Sequence, residues 1–356
     1  MDPSLSALDD TRLDAAFDLV RRQTDERATY AALAVGRPDR LVRSAAFLRG
    51  KETPPRRTAV ASITKPITAT AIMRLVEAGR LVLLEPLTTY LPEFRPTVRG
   101  EAAGPVEPLT AWHILTHTSG LPDASDEFFL SAPPEPAAQF ERLCRTELLF
   151  RPGTEYSYAS DSWYVLSTLI ERITGEPYPE YLRSHIFEPL GMAATSFNPT
   201  EPGPEPLPLE GSFGPDGVPF DVKVAYFIAL AMPGGGLWST TEDVATFGRA
   251  MLNGGTLDGV RVLGRSFVDL MTRPHTNDVR ERGTGRDPGY GLGWGLPWLG
   301  RASPSGALSF GHTGATGSTL IVDPANDLVV VYLRNDWSAP MTLTDEAVQA
   351  VYGALD

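Results

Sequence analysis

The stretch 59–69, AVASITKPITA, places Ser62 and Lys65 three positions apart in an otherwise small and apolar run. Lys65 is one of only three lysines in the 356-residue chain, with Lys51 and Lys223, so its position among alanines and isoleucines asks for a reason. From Ser62 onward the apolar residues Ile67, Ala71, Ile72, Leu75 and Val76 recur at helical spacing as far as Gly79, a residue suited to stopping a helix. Pro66 is tolerated only in a first turn, where backbone N–H groups have no helical acceptor. The stretch therefore reads as a helix N-terminus with Ser62 at or just before its start. Positions i and i+3 share a helix face, which puts Lys65 beside Ser62.

That placement has chemical meaning. A serine hydroxyl is a poor nucleophile until a base takes its proton, and a lysine takes it only if burial or nearby positive charge lowers its pKa. Ala59, Val60, Ala61 and Ile63 supply apolar surroundings, and a helix N-terminus supplies backbone N–H donors for a developing oxyanion. Four letters alone carry little specificity, and a solvated helix lysine would give the same spacing.

Upstream, Leu13, Ala16, Phe17 and Val20 mark a first helix, and residues 28–50 read as two strands joined at Gly36-Arg37-Pro38-Asp39. Residues 80 to about 230 read as helical and loop-rich, with helix-period patterns in LTAWHILTHTSGL, EYSYASDSWYVLSTLIERITG and PYPEYLRSHIFEPLGM. Segment 199–219 holds seven prolines and reads as an extended loop or lid. Strand signals return with YGLGWGL (290–296) and with 308–336, the latter a pair of strands turned at Asp323–Asp327, and 342–355 reads as a closing helix. Strands at both ends around a helical middle predict an α/β plus α fold. Its antiparallel sheet is built from both termini, as one lobe of residues 1–66 and 232–356, with a mostly helical lobe of residues 67–231 inserted.

Composition narrows the function. A net charge of −13 with no basic run argues against nucleic-acid binding. The single cysteine, Cys144, excludes an intramolecular disulfide and a cysteine-rich metal site. The first residues lack a basic start followed by an apolar run, and no apolar stretch of about 18 residues occurs, so a cytoplasmic protein without a membrane span is expected. HILTH places His113 and His117 at i and i+4, but Ile114 stands where a zinc peptidase needs glutamate, so no metal is expected. A G-x-S-x-G elbow is also missing, which leaves an α/β-hydrolase poorly supported.

Two further stretches join the opening one: RPGTEYSYASDSWYVL (151–166), with Tyr158 at the head of a helical run, and FGHTGATGS (310–318), with His312-Thr313-Gly314 on a strand. With LLEPLTTYLPEF, ILTHTSGLP and GGGLWSTTEDVATFGRAML between them, the chain resembles the serine β-lactamase and penicillin-binding-protein superfamily. The likeness is greatest to its class-C-like esterases, D-aminopeptidases and transacylases, and it runs in the family's order over residues 55–335. The resemblance implies a β-lactamase-like fold, an acyl-accepting Ser62, Lys65 sharing or removing its proton, and Tyr158 as base or proton relay. Tyr156 competes for that last place. His312, Thr313 and Gly314 stand where the family has Lys-Thr-Gly; His312 would line the site and orient substrate or assist the tyrosine. The N–H groups of Ser62 and Ala315 would form the oxyanion hole, with Gly314 small because substrate packs against the strand.

One position departs from the family. Its Tyr-x-Asn motif ends here in Ser160, and serine is shorter than asparagine with a single donor. That disfavours β-lactams and cell-wall peptides and favours an ester. The expected function is a cofactor-free serine hydrolase, an esterase or amidase on a small ester, thioester or amide. A biosynthetic acyltransferase, a β-lactamase or D-Ala-D-Ala-type peptidase, and a catalytically silent binder of the same fold are the alternatives. Phe128, Phe129, Trp238, Tyr290 and Trp294 are candidates for an acyl pocket. The sequence gives no oligomeric state.

Overall fold

A computed structural model describes residues 8–100, 108–123, 135–211, 217–296, 304–337 and 340–355. In chain order its strands are β1 (Tyr30–Gly36), β2 (Leu41–Leu48), β3 (Lys51–Thr53), β4 (Thr58–Ala59), β5 (Trp238–Ser239), β6 (Thr256–Leu257), β7 (Val260–Arg261), β8 (Phe310–Thr313), β9 (Thr319–Asp323) and β10 (Leu328–Arg334). The helices that matter here are α1 (Asp10–Glu26), α2 (Thr64–Glu77), α3 (Ala111–Leu115), α4 (Pro136–Cys144), α5 (Tyr164–Thr174), α6 (Tyr178–Leu182), α7 (Phe220–Ala229), α8 (Thr241–Leu252), α9 (Arg265–Met271) and α10 (Thr342–Tyr352).

Six strands form one antiparallel sheet in the order β3-β2-β1-β10-β9-β8, so the two ends of the chain meet in its centre, with Ala31 opposite Arg334 and Gly36 opposite Val329. The strand period of two sorts side chains between the sheet's faces. Leu33, Val35, Leu328, Val330 and Tyr332 pack with Leu13, Phe17 and Val20 of α1 and with Val348 and Val351 of α10. Val329, Val331, Leu333, Leu320 and Val322 face the other way, into the larger core that α8 shares with α2 and α5. Both faces are covered, which is why β10 reads LVVVYLR with every position buried instead of alternating with polar residues.

Helix α1 begins at an N-cap, Asp9, whose carboxylate accepts the Arg12 N–H. Helix α2 ends where expected: Gly79 adopts φ +69°, a left-handed conformation that glycine takes without a Cβ clash.

Two strand expectations need correction. YGLGWGL is not a strand; it folds back on itself through the bridge Tyr290–Gly295 and meets β8 through the single bridge Gly295–Gly311, with Gly293 at φ +80° turning the backbone away from extended geometry. Residues 308–336 hold three strands, since β8 is separated from β9 by the Gly314–Ser318 turn.

The described part of the proline-rich segment is stitched to the body. Arg57, fully buried, donates from its guanidinium to the carbonyls of Ala194 (2.8 Å), Pro199 (2.8 Å) and Glu201 (2.9 Å). Main-chain bonds then link Arg57 to Glu205 and Leu207, and Glu210 to Asn335. Residues 212–216 of that segment, and Phe128 and Phe129, lie outside the described residues. No described helix is long and apolar enough to cross a membrane.

Candidate active site

Strand β4 leads through Val60 and Ala61 into a single 3-10 turn, Ala61–Ile63, from which α2 continues. Ala61 sits at φ +47°, an uncommon conformation for a residue with a Cβ, and it presents Ser62 at the head of the helix. The turn is tied from outside: Val60 N–H donates to the Leu237 carbonyl, Thr64 Oγ1 donates to Ala61 O (2.7 Å), and Leu237 N–H donates to Thr64 Oγ1 (3.1 Å).

Lys65 is fully buried. Its Nζ lies 3.2 Å from Ser62 Oγ, 3.0 Å from Ser160 Oγ and 2.6 Å from the Gly234 carbonyl oxygen. Burial lowers its pKa from the ordinary lysine value to about 7, against the opposing pull of the Asp123 and Asp161 carboxylates. A neutral amine has two N–H donors and one lone pair. The Gly234 carbonyl can only accept and takes one N–H; with the other on Ser160 Oγ, the lone pair is left for the Ser62 hydroxyl proton. The Nζ also lies 4.6 Å from the Tyr158 ring centroid.

The Tyr158 hydroxyl faces the Ser62 and Ser160 side chains. The residue as a whole is 38% exposed, yet burial of the group is the largest influence on its pKa and raises it, while both serines act to lower it. The hydroxyl is therefore protonated at neutral pH. Tyr156 goes elsewhere, buried against Val279 and Tyr290.

Residues 157–161 form a strap between α4 and α5 that carries Tyr158 and Ser160. The Asp123 carboxylate accepts the N–H groups of Ser160 (2.9 Å) and Asp161 (3.1 Å), and Arg142 pairs with the buried Asp161 carboxylate at 2.9 Å. On its other side lies the MPGGG loop: a Cβ on Gly234 would stand 2.5 Å from the Ser160 carbonyl oxygen, so only glycine lets the two backbones pass.

His312, at the end of β8, commits both ring nitrogens. Nδ1 lies 2.7 Å from the Thr313 carbonyl and so carries the proton, which leaves Nε2 to accept from the Tyr290 hydroxyl at 2.9 Å. Burial lowers its pKa to about 3, with the nearby Lys65 charge acting in the same direction, so it is neutral at physiological pH. Gly314 has a different reason from the one expected. A Cβ there would run into the Val60 carbonyl and lie 3.2 Å from Ala61 Cβ, so glycine is required by the protein's own turn before Ser62 rather than by substrate. The same approach carries exposed Ala315 to the side of that turn, and Thr316 Oγ1 fastens it by donating to Ala59 O (3.1 Å).

The structure thus gathers Ser62, Lys65 and Ser160 into one hydrogen-bonded group with Tyr158 against it, and Thr313, Gly314 and Ala315 along its edge. Trp238 and Trp294 are core residues, 2% and 0% exposed, and Trp294 stacks on Phe247. His113 and His117 serve separate ends: the Nδ1 of His113 lies 2.8 Å from Thr110 Oγ1 at the start of α3, and His117 Nδ1 accepts the Ala159 N–H at 3.2 Å. Asp123 and the Gly234 carbonyl were not legible in the sequence. The GGGLWS motif entered only as part of the family resemblance, and nothing marked Asp123.

A family model described as Beta-lactamase matches residues 17–353. An uncharacterised Mycobacterium tuberculosis protein is 32% identical over 310 residues, covering 77% of this chain and 76% of its own. The Bacillus subtilis N-acetylmuramyl-L-alanine amidase is 27% identical over 309 residues, covering 78% of this chain and 67% of its own. In fold, the chain superposes on a family VIII carboxylesterase with TM-score 0.79 at 17% identity, covering 99% of this chain and 100% of that one.

Proposed function

The chain belongs to the beta-lactamase family of serine hydrolases, and from that premise we propose that it is an esterase working through an acyl-enzyme on Ser62, in a site between a lobe of residues 1–66 with 232–356 and a lobe of residues 67–231. The observation that carries this reading is the contact of Ser62 Oγ with a fully buried Lys65 Nζ at 3.2 Å, its pKa lowered to about 7. An amine near its pKa at working pH is half unprotonated, the condition a general base needs.

The substrate carbonyl lies against Ser62 with its oxygen toward the Ser62 and Ala315 N–H groups. Lys65 takes the hydroxyl proton as Ser62 Oγ bonds to the carbonyl carbon. The carbon–alkoxide bond then breaks, Tyr158 gives its proton to the leaving alkoxide, and Lys65 restores that proton through Ser160. Deacylation runs the same circuit in reverse, with water supplying the attacking oxygen and its proton. His312 buttresses this group through Tyr290 and takes no proton, since both of its nitrogens are engaged.

Ser160 supports ester over amide. Its hydroxyl already meets Lys65 and Tyr158, so it offers no spare amide-like group to read a substrate amide. An alcohol or amine reaching the acyl-enzyme before water would turn hydrolysis into acyl transfer.

Intact-mass spectrometry after exposure to p-nitrophenyl esters, thioesters and a penicillin tests this. Esters are expected to leave their acyl group on Ser62, amides and the penicillin not to, and Ser62→Ala to abolish the adduct. An unchanged turnover in Ser62→Ala would refute the mechanism.

A further inference from the structure

His117 follows α3 by two residues and holds a left-handed backbone conformation, φ +56°. Its carbonyl accepts the Ser157 N–H at 2.9 Å and its Nδ1 accepts the Ala159 N–H at 3.2 Å, so the N–H groups of the residues on either side of Tyr158 both end on His117. The imidazole also lies along the Tyr158 ring, centroids 4.3 Å apart and planes 32° from parallel. Trp163 at 5.8 Å and Tyr290 at 5.0 Å close in on the imidazole from other sides.

We propose that His117 is the positioning residue for Tyr158, fixing the main chain on both sides of it and the plane of its ring so that the hydroxyl stays on Ser62 and Ser160. The inference rests on the Ser62 chemistry proposed above. A tyrosine 38% exposed has other rotamers to occupy, and stacking on a buried imidazole disfavours them. A filler role does not account for histidine. With Nδ1 accepting, the proton sits on Nε2, which is buried without a hydrogen-bond partner. Phenylalanine would fill the same space without stranding a donor, so the Nδ1 acceptor is what this position uses. Burial holds the imidazole pKa well below its ordinary value, aided by the nearby Lys65 charge, which keeps Nδ1 unprotonated.

The test is a double-mutant cycle read as the single-turnover rate of Ser62 acylation by ethyl butyrate, whose alkoxide leaving group needs the Tyr158 proton, with Tm recorded for each protein. Glycine and asparagine both accept the left-handed backbone, and an asparagine Oδ1 sits where Nδ1 does. His117→Gly is expected to slow acylation at least about tenfold with KM nearly unchanged, and His117→Asn to recover part of that loss. In a Tyr158→Phe background, where there is no hydroxyl to position, His117→Gly is expected to cost under about threefold. Equal losses in both backgrounds, or a fall in Tm with an unchanged rate, would overturn the assignment. If the glycine variant does not fold, the cycle is run with His117→Asn, where the same additivity refutes it. Absence of wild-type acylation at Ser62 would instead refute the underlying chemistry, and the positioning role with it.

Discussion

The turn that carries Ser62 and Lys65 and the strap that carries Tyr158 and Ser160 meet at one hydrogen-bonded group, yet they are built in opposite ways. The first runs straight into its own helix, steadied by bonds to Leu237 and Thr316: Lys65, the second residue of α2, follows Ser62 by three positions, and every residue from Ile63 to Met73 is buried. The strap is an irregular segment of 157–161 whose geometry comes from elsewhere in the chain, from His117, Asp123, Arg142 and Gly234. A nucleophile and its base can share one rigid element because they exchange a proton at short range. In the proposed mechanism Tyr158 must reach toward substrate, and it is held by neighbours while the residue stays 38% exposed.

The contrast is most exposed to disruption at the helix. Lys65→Met is expected to lower kcat by at least about 10³-fold, since it removes the proposed base and leaves the helix intact. The same variant should gain stability. The folded-state pKa of Lys65 is depressed to about 7, so between there and the ordinary lysine value the unfolded chain binds the extra proton and stability rises with pH. The penalty is therefore largest at about pH 7 and below and vanishes near pH 10.5. Thermal melts should show the Lys65→Met variant gaining most over the wild type at neutral pH and little at about pH 10. A uniform loss of Tm would contradict this account of the buried amine.

At the boundary between the two regions, Gly234→Ala would press a methyl into the Ser160 carbonyl at 2.5 Å and displace the strap from Lys65. A shift of about 1 Å is expected to cost on the order of 10- to 100-fold in kcat, with a lowered Tm. A wild-type kcat in this variant would mean that the strap tolerates displacement.

The mildest change tests the contrast through charge alone. In Asp123→Asn the new side-chain amide oxygen still accepts the Ser160 and Asp161 N–H groups, but it no longer favours the charged form of Lys65. The acidic limb of the kcat/KM profile, expected near pH 7, should move to lower pH by less than about one unit, with the plateau rate nearly unchanged. A shift toward higher pH would show that Lys65 does not set that limb.

Much of this was legible before any coordinates. The α1, β1–β2 and β9–β10 patterns and the Ser62–Lys65 helix start all follow from periodicities of two and 3.6 residues. YGLGWGL was misread because alternating glycines mimic a strand's period while the left-handed conformation of Gly293 breaks it. Gly314 was explained by substrate because sequence cannot show that Val60, more than 250 positions away, is the nearest obstacle.

The order of residues alone settles the pairing of Ser62 with Lys65, because three residues of helix bring side chains together whatever surrounds them. It also settles the family, through ordered motifs, and the loss of the asparagine at 160. What the lysine can do is left to the folded chain. Its contacts with Ser160 and Gly234 span 95 and 169 positions, and its burial sums atoms from across the chain. A pKa answers to that sum of desolvation and charge, and no local spacing encodes it.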